Sequence, residues 1–432
     1  MAARRVDSAA EAAALIRPND TFAIGLGPAH PVELLHALGA RDDWNGLEMF
    51  GALLTDLYEV FTRPGVRFRS GFFGPAERFL RDSGAAIEYV PADFRRFAPI
   101  VERLNPRVMA TAAAMPDADG YLSLSVHAGS TVDAFHATGA DPDRLLIVEC
   151  SPHYPRTFGL DPHHHRLHLD EIDVLLESDR APVDLADAVA TDVDLAIAAI
   201  ATEFIPNEAT LQTGIGAVPS LIATALADGP GGGYGIHSEM FTTGLMRLHQ
   251  SGKVTNANKG ELDGYSITTF AAGNAELYRW LDGNSDVRFL PVDVVNDTRI
   301  IAENRDFVSI NGATAVDLWG QIAADTIAGR QHSGTGGHED FLAGAGLQVD
   351  DRSLLCLHSS AMVDGVRVSR IRTNVGPDML VTTPRHQVDV VITEFGAAEL
   401  SGRTVRERAQ AMVAIAHPDF RDELAATADA MG

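Results

Sequence analysis

The sequence predicts an α/β protein of two related open domains, each with a mostly parallel sheet covered by helices. Three observations predict it. Apolar runs such as "RLLIVEC", "SLLCLHSS" and "VDVVITEF" alternate with helical patterns such as "AERFLRDSG" and "VRERAQAMVAIA", the order expected when strands are joined by helical crossovers. The chain has 432 residues, of which 46% are hydrophobic, enough for two domains with a core each. And the chain repeats itself: "PNDTFAIGLGPAHPVELLHAL" at 18–38 parallels "PNEATLQTGIGAVPSLIATAL" at 206–226, as a duplicated half would.

The repeated unit reads Pro-Asn-acid, apolar strand, Gly-x-Gly, proline, helix. Gly25 and Gly27 match Gly214 and Gly216, and Pro31 stands near the position of Pro219 with a one-residue slip. Between the halves, "ESDRAPVDLADA" at 177–187 breaks the hydrophobic pattern with proline and acids, so the domains are expected at 1–185 and 186–432. The first twenty residues carry acids in a helical pattern instead of a secretory core, and no apolar run approaches membrane-span length. A cytoplasmic protein with no membrane partner is expected.

In "TGIGAVP" the glycines follow a strand and precede a helix, so main-chain N–H groups can approach an anion or a developing oxyanion closely. A plain strand-to-helix turn is the competing account. Dinucleotide binding fits less well, because the third glycine of that fingerprint is missing.

Next comes "GIHSEMF" at 235–241, where His237, Ser238 and Glu239 stand at positions that a fully buried strand fills with Val or Ile. Glu239 alone reads as a strand-end residue or a helix N-terminal acid. Its place between the Gly-x-Gly turn and a second glycine-rich loop makes it a candidate carboxylate nucleophile with oxyanion donors. That loop is "RQHSGTGGHEDFLAGAG" at 330–346, with Ser333, Gly334, Gly336 and Gly337 ahead of Asp340 and Phe341. Close approach of backbone to a bulky ligand accounts for the glycines, with a flexible surface loop as the alternative.

Two further stretches invite function. His163, His164, His165 and His168 in "DPHHHRLHLDEID" suggest a metal, but adjacent histidines cannot all face one ion and no Cys supports them. A solvated loop is expected. Arg385, Arg403, Arg406 and Arg408 could meet phosphates, but a solvated, salt-bridged face is the expectation. The two cysteines, Cys150 and Cys356, lack metal-ligand spacing and read as buried reduced thiols. A net charge of −25 argues against a nucleic-acid partner.

Taken in order, "GIGAVP", "GIHSEM", "VSINGATAVDLWGQI", "SGTGGHEDF", "TTPRHQVDVVITEFGAAELSGRT" and "IAHPDFR" resemble the acetyl-CoA hydrolase/transferase family. The pattern is similar to class I coenzyme A transferases of the 4-hydroxybutyrate CoA-transferase branch and spans nearly the whole chain. The resemblance implies a CoA-transferase fold with the active site at the domain interface. It implies Glu239 as the residue that attacks acyl-CoA, and Gly214, Ile215, Gly216, Ala217, Val218 and Pro219 as the CoA-binding turn with an oxyanion donor. Asn311, Ser333, Gly336 and Gly337 fall on further pocket positions, with Gly337 as a backbone donor. Coenzyme A and acyl-CoA are implied as substrates with no permanently bound cofactor and no metal, a small carboxylic acid as the second substrate, and a homodimer as the assembly. Hydrolysis of acetyl-CoA by the same glutamate, or CoA binding without catalysis, are the alternatives.

The chain departs from the family in two places. Where members commonly have "VN" it has "VECSPHYPRTFG", and where they have "GQ" it has Gly337 and His338. The mechanism further requires an ionised Glu239, which nearby donors are expected to keep charged.

Overall fold

The computed structural model describes residues 3–186, 189–214 and 216–431. The chain divides into two compact units, Met1–Leu185 with Ile267–Val295 and Ala186–Ser266 with Asn296–Gly432. A single division at 185/186 had put residues 267–295 with the second half. Their main-chain bonds explain the difference, since Ala271 N–H donates to Val126 O at 2.8 Å, Ala128 N–H to Thr269 O at 2.8 Å and Phe289 N–H to Phe158 O at 2.8 Å.

In the first unit the strands are β1 (Arg4–Val6), β2 (Thr21–Leu26), β3 (Leu47–Ala52), β4 (Val66–Ser70), β5 (Ile87–Tyr89), β6 (Val108–Ala114), β7 (Tyr121–Ser123), β8 (Leu145–Ser151), β9 (Arg166–His168) and β10 (Val174–Glu177). The main sheet runs β1-β10-β8-β6-β2-β3-β4-β5, and every neighbouring pair is parallel. Such a sheet is covered on both faces, which is why β6 is buried along its whole length. Each fully buried Val, Leu or Phe contributes about 1.5–3 kcal/mol. Phe22, Leu34, Leu38, Leu47 and Phe68 are all at 0% exposure in this core. β7 and β9 pair separately as an antiparallel ribbon.

The second unit repeats the plan. After β11 (Thr210–Thr213) and β12 (Gly235–Phe241), and the segment carrying β13 (Ser266–Ala271) and β14 (Val287–Phe289), comes β15 (Phe307–Gly312). In this unit the sheet runs β12-β11-β15, then the strands Arg352–Cys356 and Val390–Thr393, with Gly396–Glu399 antiparallel at the edge. β2 stands between β3 and β6 just as β11 stands between β12 and β15, so the two Gly-x-Gly strands hold the same place in their sheets. In each case the strand order reverses beside that strand, and crevices for ligands open at such points.

Both cysteines are buried and free. Among the described residues no helix is long and apolar enough to cross a membrane, and no group of three or more His, Cys, Asp or Glu is arranged to hold a metal ion. The histidine-rich stretch is a correction to the expected solvated loop. His164 is exposed, but His165 is buried, stacked on Phe289 with ring centroids 5.1 Å apart and with Nε2 2.8 Å from Ser125 O. Arg408 is likewise no salt-bridged surface residue, because its guanidinium donates to Leu400 O at 3.0 Å and Arg385 O at 2.5 Å.

Candidate active site

The three polar residues of β12 have three separate tasks. His237 is fully buried and lies edge-on to Phe307 and Phe341, with ring centroids 6.3 and 6.4 Å away. Ser238, pointing to the other face, ties β12 to β11: its Oγ accepts from Thr213 N–H at 3.3 Å and donates to Met240 O at 2.9 Å. Glu239 returns to the face of His237 and is the one residue of the strand that is not buried.

One oxygen of Glu239, Oε2, accepts from Asn296 Nδ2 at 2.7 Å. The same nitrogen donates to Asp340 Oδ2 at 2.9 Å. An amide nitrogen has two hydrogens, so Asn296 serves both carboxylates at once. Asn296 and Asp340 are completely buried. Sequence reasoning missed Asn296 and gave Asp340 no role; nothing in "VVNDT" marks the asparagine, whose task exists only once the fold has brought it to β12.

Gly337 explains why this second loop needs glycine. Its φ is −90°, so no backbone strain demands it. A Cβ there, however, would collide with Glu239 Oε2 and come within 2.5 Å of Asn296 Nδ2. The Glu239 carboxylate therefore lies directly against the main chain of Gly337, which is the N-cap of the helix His338–Ala345 and carries no side-chain cap. The N-terminal end of that helix favours negative charge.

The Gly-x-Gly turn stands on the neighbouring strand. β11 and β12 are parallel with Thr210 opposite Gly235 and Leu211 opposite Ile236, and carrying this register forward sets Gly214 beside Glu239. Gly214 N–H donates to Ile310 O at 3.1 Å. Gly216 has φ +128°, where a side chain is strained, and N-caps the helix Ala217–Asp228 without any side-chain cap. It is exposed, and Ala217, Val218 and Pro219 are half-buried, so this helix start is open to a ligand. Ile215 lies outside the described residues. Asn311, at the end of β15, exchanges side-chain hydrogen bonds with Gln212, at 3.1 Å to Gln212 Oε1 and 3.5 Å from Gln212 Nε2.

Not every predicted residue joins the group. Ser333 N–H and Oγ bond to Asp325 O at 3.0 Å and Ala324 O at 3.4 Å, which makes it a turn residue. Gly336 adopts φ +56° in the same loop. His338, at one of the family departures, is buried with Nε2 2.9 Å from Thr383 Oγ1. Thr383 in turn donates to Glu339, so the imidazole is the donor to Thr383. Burial pushes the His338 pKa down to about 4.

The electrostatics of Glu239 depart from the expectation that donors hold it ionised. Burial of the carboxyl group raises its pKa, the Asn296 hydrogen bond works against this, and the Asp340 charge adds to the rise, leaving it at about 8. The residue keeps a small opening to solvent while its carboxyl group is packed among protein atoms. The Asn296 hydrogen bond, shared with a second carboxylate, does not offset that desolvation.

Residues 273–428 match the acetyl-CoA hydrolase/transferase C-terminal domain. The chain is 34% identical to the 4-hydroxybutyrate coenzyme A transferase of Clostridium kluyveri, covering 93% of this chain and 92% of that one. It is 31% identical to the succinyl-CoA:cyclohexane-1-carboxylate CoA transferase of Geobacter metallireducens, over 99% and 96% of the two chains. The crystal structure of RipA from Yersinia pestis superposes with a TM-score of 0.88 at 30% identity, covering 99% of this chain and 97% of that one. With the Glu239 carboxyl group against the Gly337 main chain and relatives of this identity along nearly its whole length, the chain belongs to the acetyl-CoA hydrolase/transferase family of CoA-transferase enzymes.

Proposed function

We propose that the protein transfers coenzyme A between an acyl-CoA and a small carboxylic acid, with Glu239 carrying first the acyl group and then the coenzyme. The observation that carries this is the Glu239 carboxyl group lying against the Gly337 main chain, on the strand that pairs in parallel with β11 and its Gly-x-Gly end. A carboxylate is a weak nucleophile, but a thioester carbonyl is activated enough for it once the two are held in contact.

Attack by a Glu239 oxygen on the thioester carbonyl forms a C–O bond and places negative charge on the former carbonyl oxygen. Main-chain N–H groups of the glycine turns are suited to stabilise that oxyanion, each donor being worth about 3 kcal/mol. Collapse breaks the C–S bond, leaving an acyl-glutamyl anhydride and CoA thiolate. The thiolate attacks the glutamyl carbonyl of the anhydride, which releases the first acid and leaves Glu239 as its CoA thioester. A second carboxylate runs the same steps backwards. Thioester energy is conserved throughout, so the reaction needs no ATP, and ping-pong kinetics follow. Only ionised Glu239 attacks; its raised pKa makes a desolvated, reactive carboxylate available to a minor fraction of the free enzyme at neutral pH.

CoA release from acetyl-CoA, measured with and without a panel of small carboxylates, tests the proposal. Formation of the new acyl-CoA that depends on the added acid is expected. CoA release at the same rate whether or not an acid is present identifies a hydrolase instead.

A further inference from the structure

The first unit contains a second, differently charged cavity. It has a volume of about 270 Å³, and Arg156, Arg166 and Arg288 all line it. Three guanidinium groups around one small hollow stand out in a chain of net charge −25. The arginines come from three separate segments of the unit, namely the loop after β8, strand β9 and strand β14.

The framework that gathers them is well defined. Ser123 of β7 pairs with Arg166 of β9, and Tyr121 with His168, so Tyr121 is the diagonal neighbour of Arg166 on one face of the ribbon. The Arg166 guanidinium accordingly lies 4.0 Å from the centre of the Tyr121 ring, and among the described residues it makes no ion pair. The Arg288 guanidinium lies 5.6 Å from the Phe158 ring and donates to Gly159 O at 3.3 Å. Stacked on its ring, the Arg166 guanidinium keeps its N–H edges for other partners. Arg156 donates to Met115 O at 2.6 Å and to Asp117 Oδ2 at 3.3 Å.

Two carboxylates share the lining. Asp117 has one oxygen occupied by the N–H groups of Asp119 and Tyr121, at 3.0 and 2.8 Å, and pairs with Arg156 through the other. Asp161 is 90% exposed and sits 4.0 Å from His164 Nε2. The cavity thus keeps an excess of positive charge after both are counted. Its volume is below that of a site for a drug-sized ligand. A phosphate dianion matches this excess of positive charge better than a singly charged carboxylate, and guanidinium groups bind its oxygens in bidentate fashion.

We propose that this cavity, whose lining belongs wholly to the first unit, binds a phosphate group, either as the free inorganic ion or as the terminal phosphomonoester of a larger molecule. It is independent of the transferase proposal, since no residue of it takes part in that chemistry.

The test uses the full chain, titrated calorimetrically at constant ionic strength with inorganic phosphate in one arm and adenosine 5′-monophosphate in the other, with chloride as the control. Saturable binding of at least one probe is expected, and which of them binds names the source. Arg166→Gln removes an exposed cation that has no ion pair to lose and is expected to weaken binding about tenfold, the effect of one charge-assisted hydrogen bond. Arg288→Gln is expected to act in the same direction. Heats no different from those of chloride in both arms would overturn the proposal, as would binding that both variants leave at wild-type affinity.

Discussion

The two Gly-x-Gly turns have the same place in the same topology, yet one is closed and the other is open. In the first unit Gly25 is packed so tightly that a Cβ would stand 3.1 Å from Ala29 Cβ and 3.2 Å from Thr111 Oγ1. Leu26 N–H, between the two glycines, donates to His127 Nε2 at 3.2 Å. The helix that follows, Val32–Gly39, has its first amides taken by Glu149, which accepts from Glu33 N–H at 3.3 Å and Leu34 N–H at 3.1 Å. In the second unit the helix Ala217–Asp228 starts from an exposed glycine with no side-chain cap. A helix N-terminus attracts anions; the first half fills its own with a protein carboxylate, and the second has no side-chain cap.

Glu149, the acid that caps the first-unit helix, lies on β8 within "VECSPHYPRTFG". Burial raises its pKa to about 7 against the pull of the two amides.

The largest effect is expected at the open site. In Gly337→Ala the new methyl group must displace the Glu239 carboxyl group, and transfer should fall by roughly 100-fold or more, the usual result of a misplacement near 1 Å. Thermal unfolding measured alongside should show a loss of about 1–3 kcal/mol, since the methyl group also crowds the buried Asn296 amide, so activity is compared per folded molecule. Activity close to wild type would mean that contact with Gly337 is irrelevant to the chemistry.

A smaller effect is expected from pH. Since the folded pKa of Glu239 is raised to about 8 and only the ionised form attacks, kcat/KM should increase as pH rises, about tenfold per unit below 8, and level off above it. A profile already flat from pH 6 to 9 would show the carboxylate fully ionised in the free enzyme. The smallest effects separate the two turns. Gly216→Ala strains a φ of +128° and Gly25→Ala crowds a packed core, each costing about 1–3 kcal/mol of stability. Per folded molecule, only Gly216→Ala should raise the KM for acyl-CoA. Equal KM changes in both would erase the distinction between closed and open turns.

Much of this was legible in the sequence because parallel sheets buried on both faces read as apolar runs. That is why β8 and the strands Arg352–Cys356 and Val390–Thr393 coincide with "RLLIVEC", "SLLCLHSS" and "VDVVITEF". Glu239 was legible as a polar residue interrupting such a run, and the duplicated turns as a repeat. Asn296 was not, because a single amide bridging two carboxylates has no local pattern. The raised pKa of Glu239 escaped for a related reason: sequence shows which donors are nearby in the chain but not how much water the fold removes. His165 was read with its exposed neighbours, although its burial depends on Phe289, more than a hundred residues away in sequence. The resemblance sets Ser333 on the pocket side of its loop, whereas its hydrogen bonds tie it to the turn at Ala324 and Asp325.

The most direct measurement is mass spectrometry of the full chain mixed with acetyl-CoA and quenched before an acceptor acid is added. The account predicts a peptide containing Glu239 that is heavier by coenzyme A joined as a thioester, sensitive to borohydride and absent in Glu239→Ala. Turnover with acceptor acid in a protein whose Glu239 peptide never carries the coenzyme would contradict it.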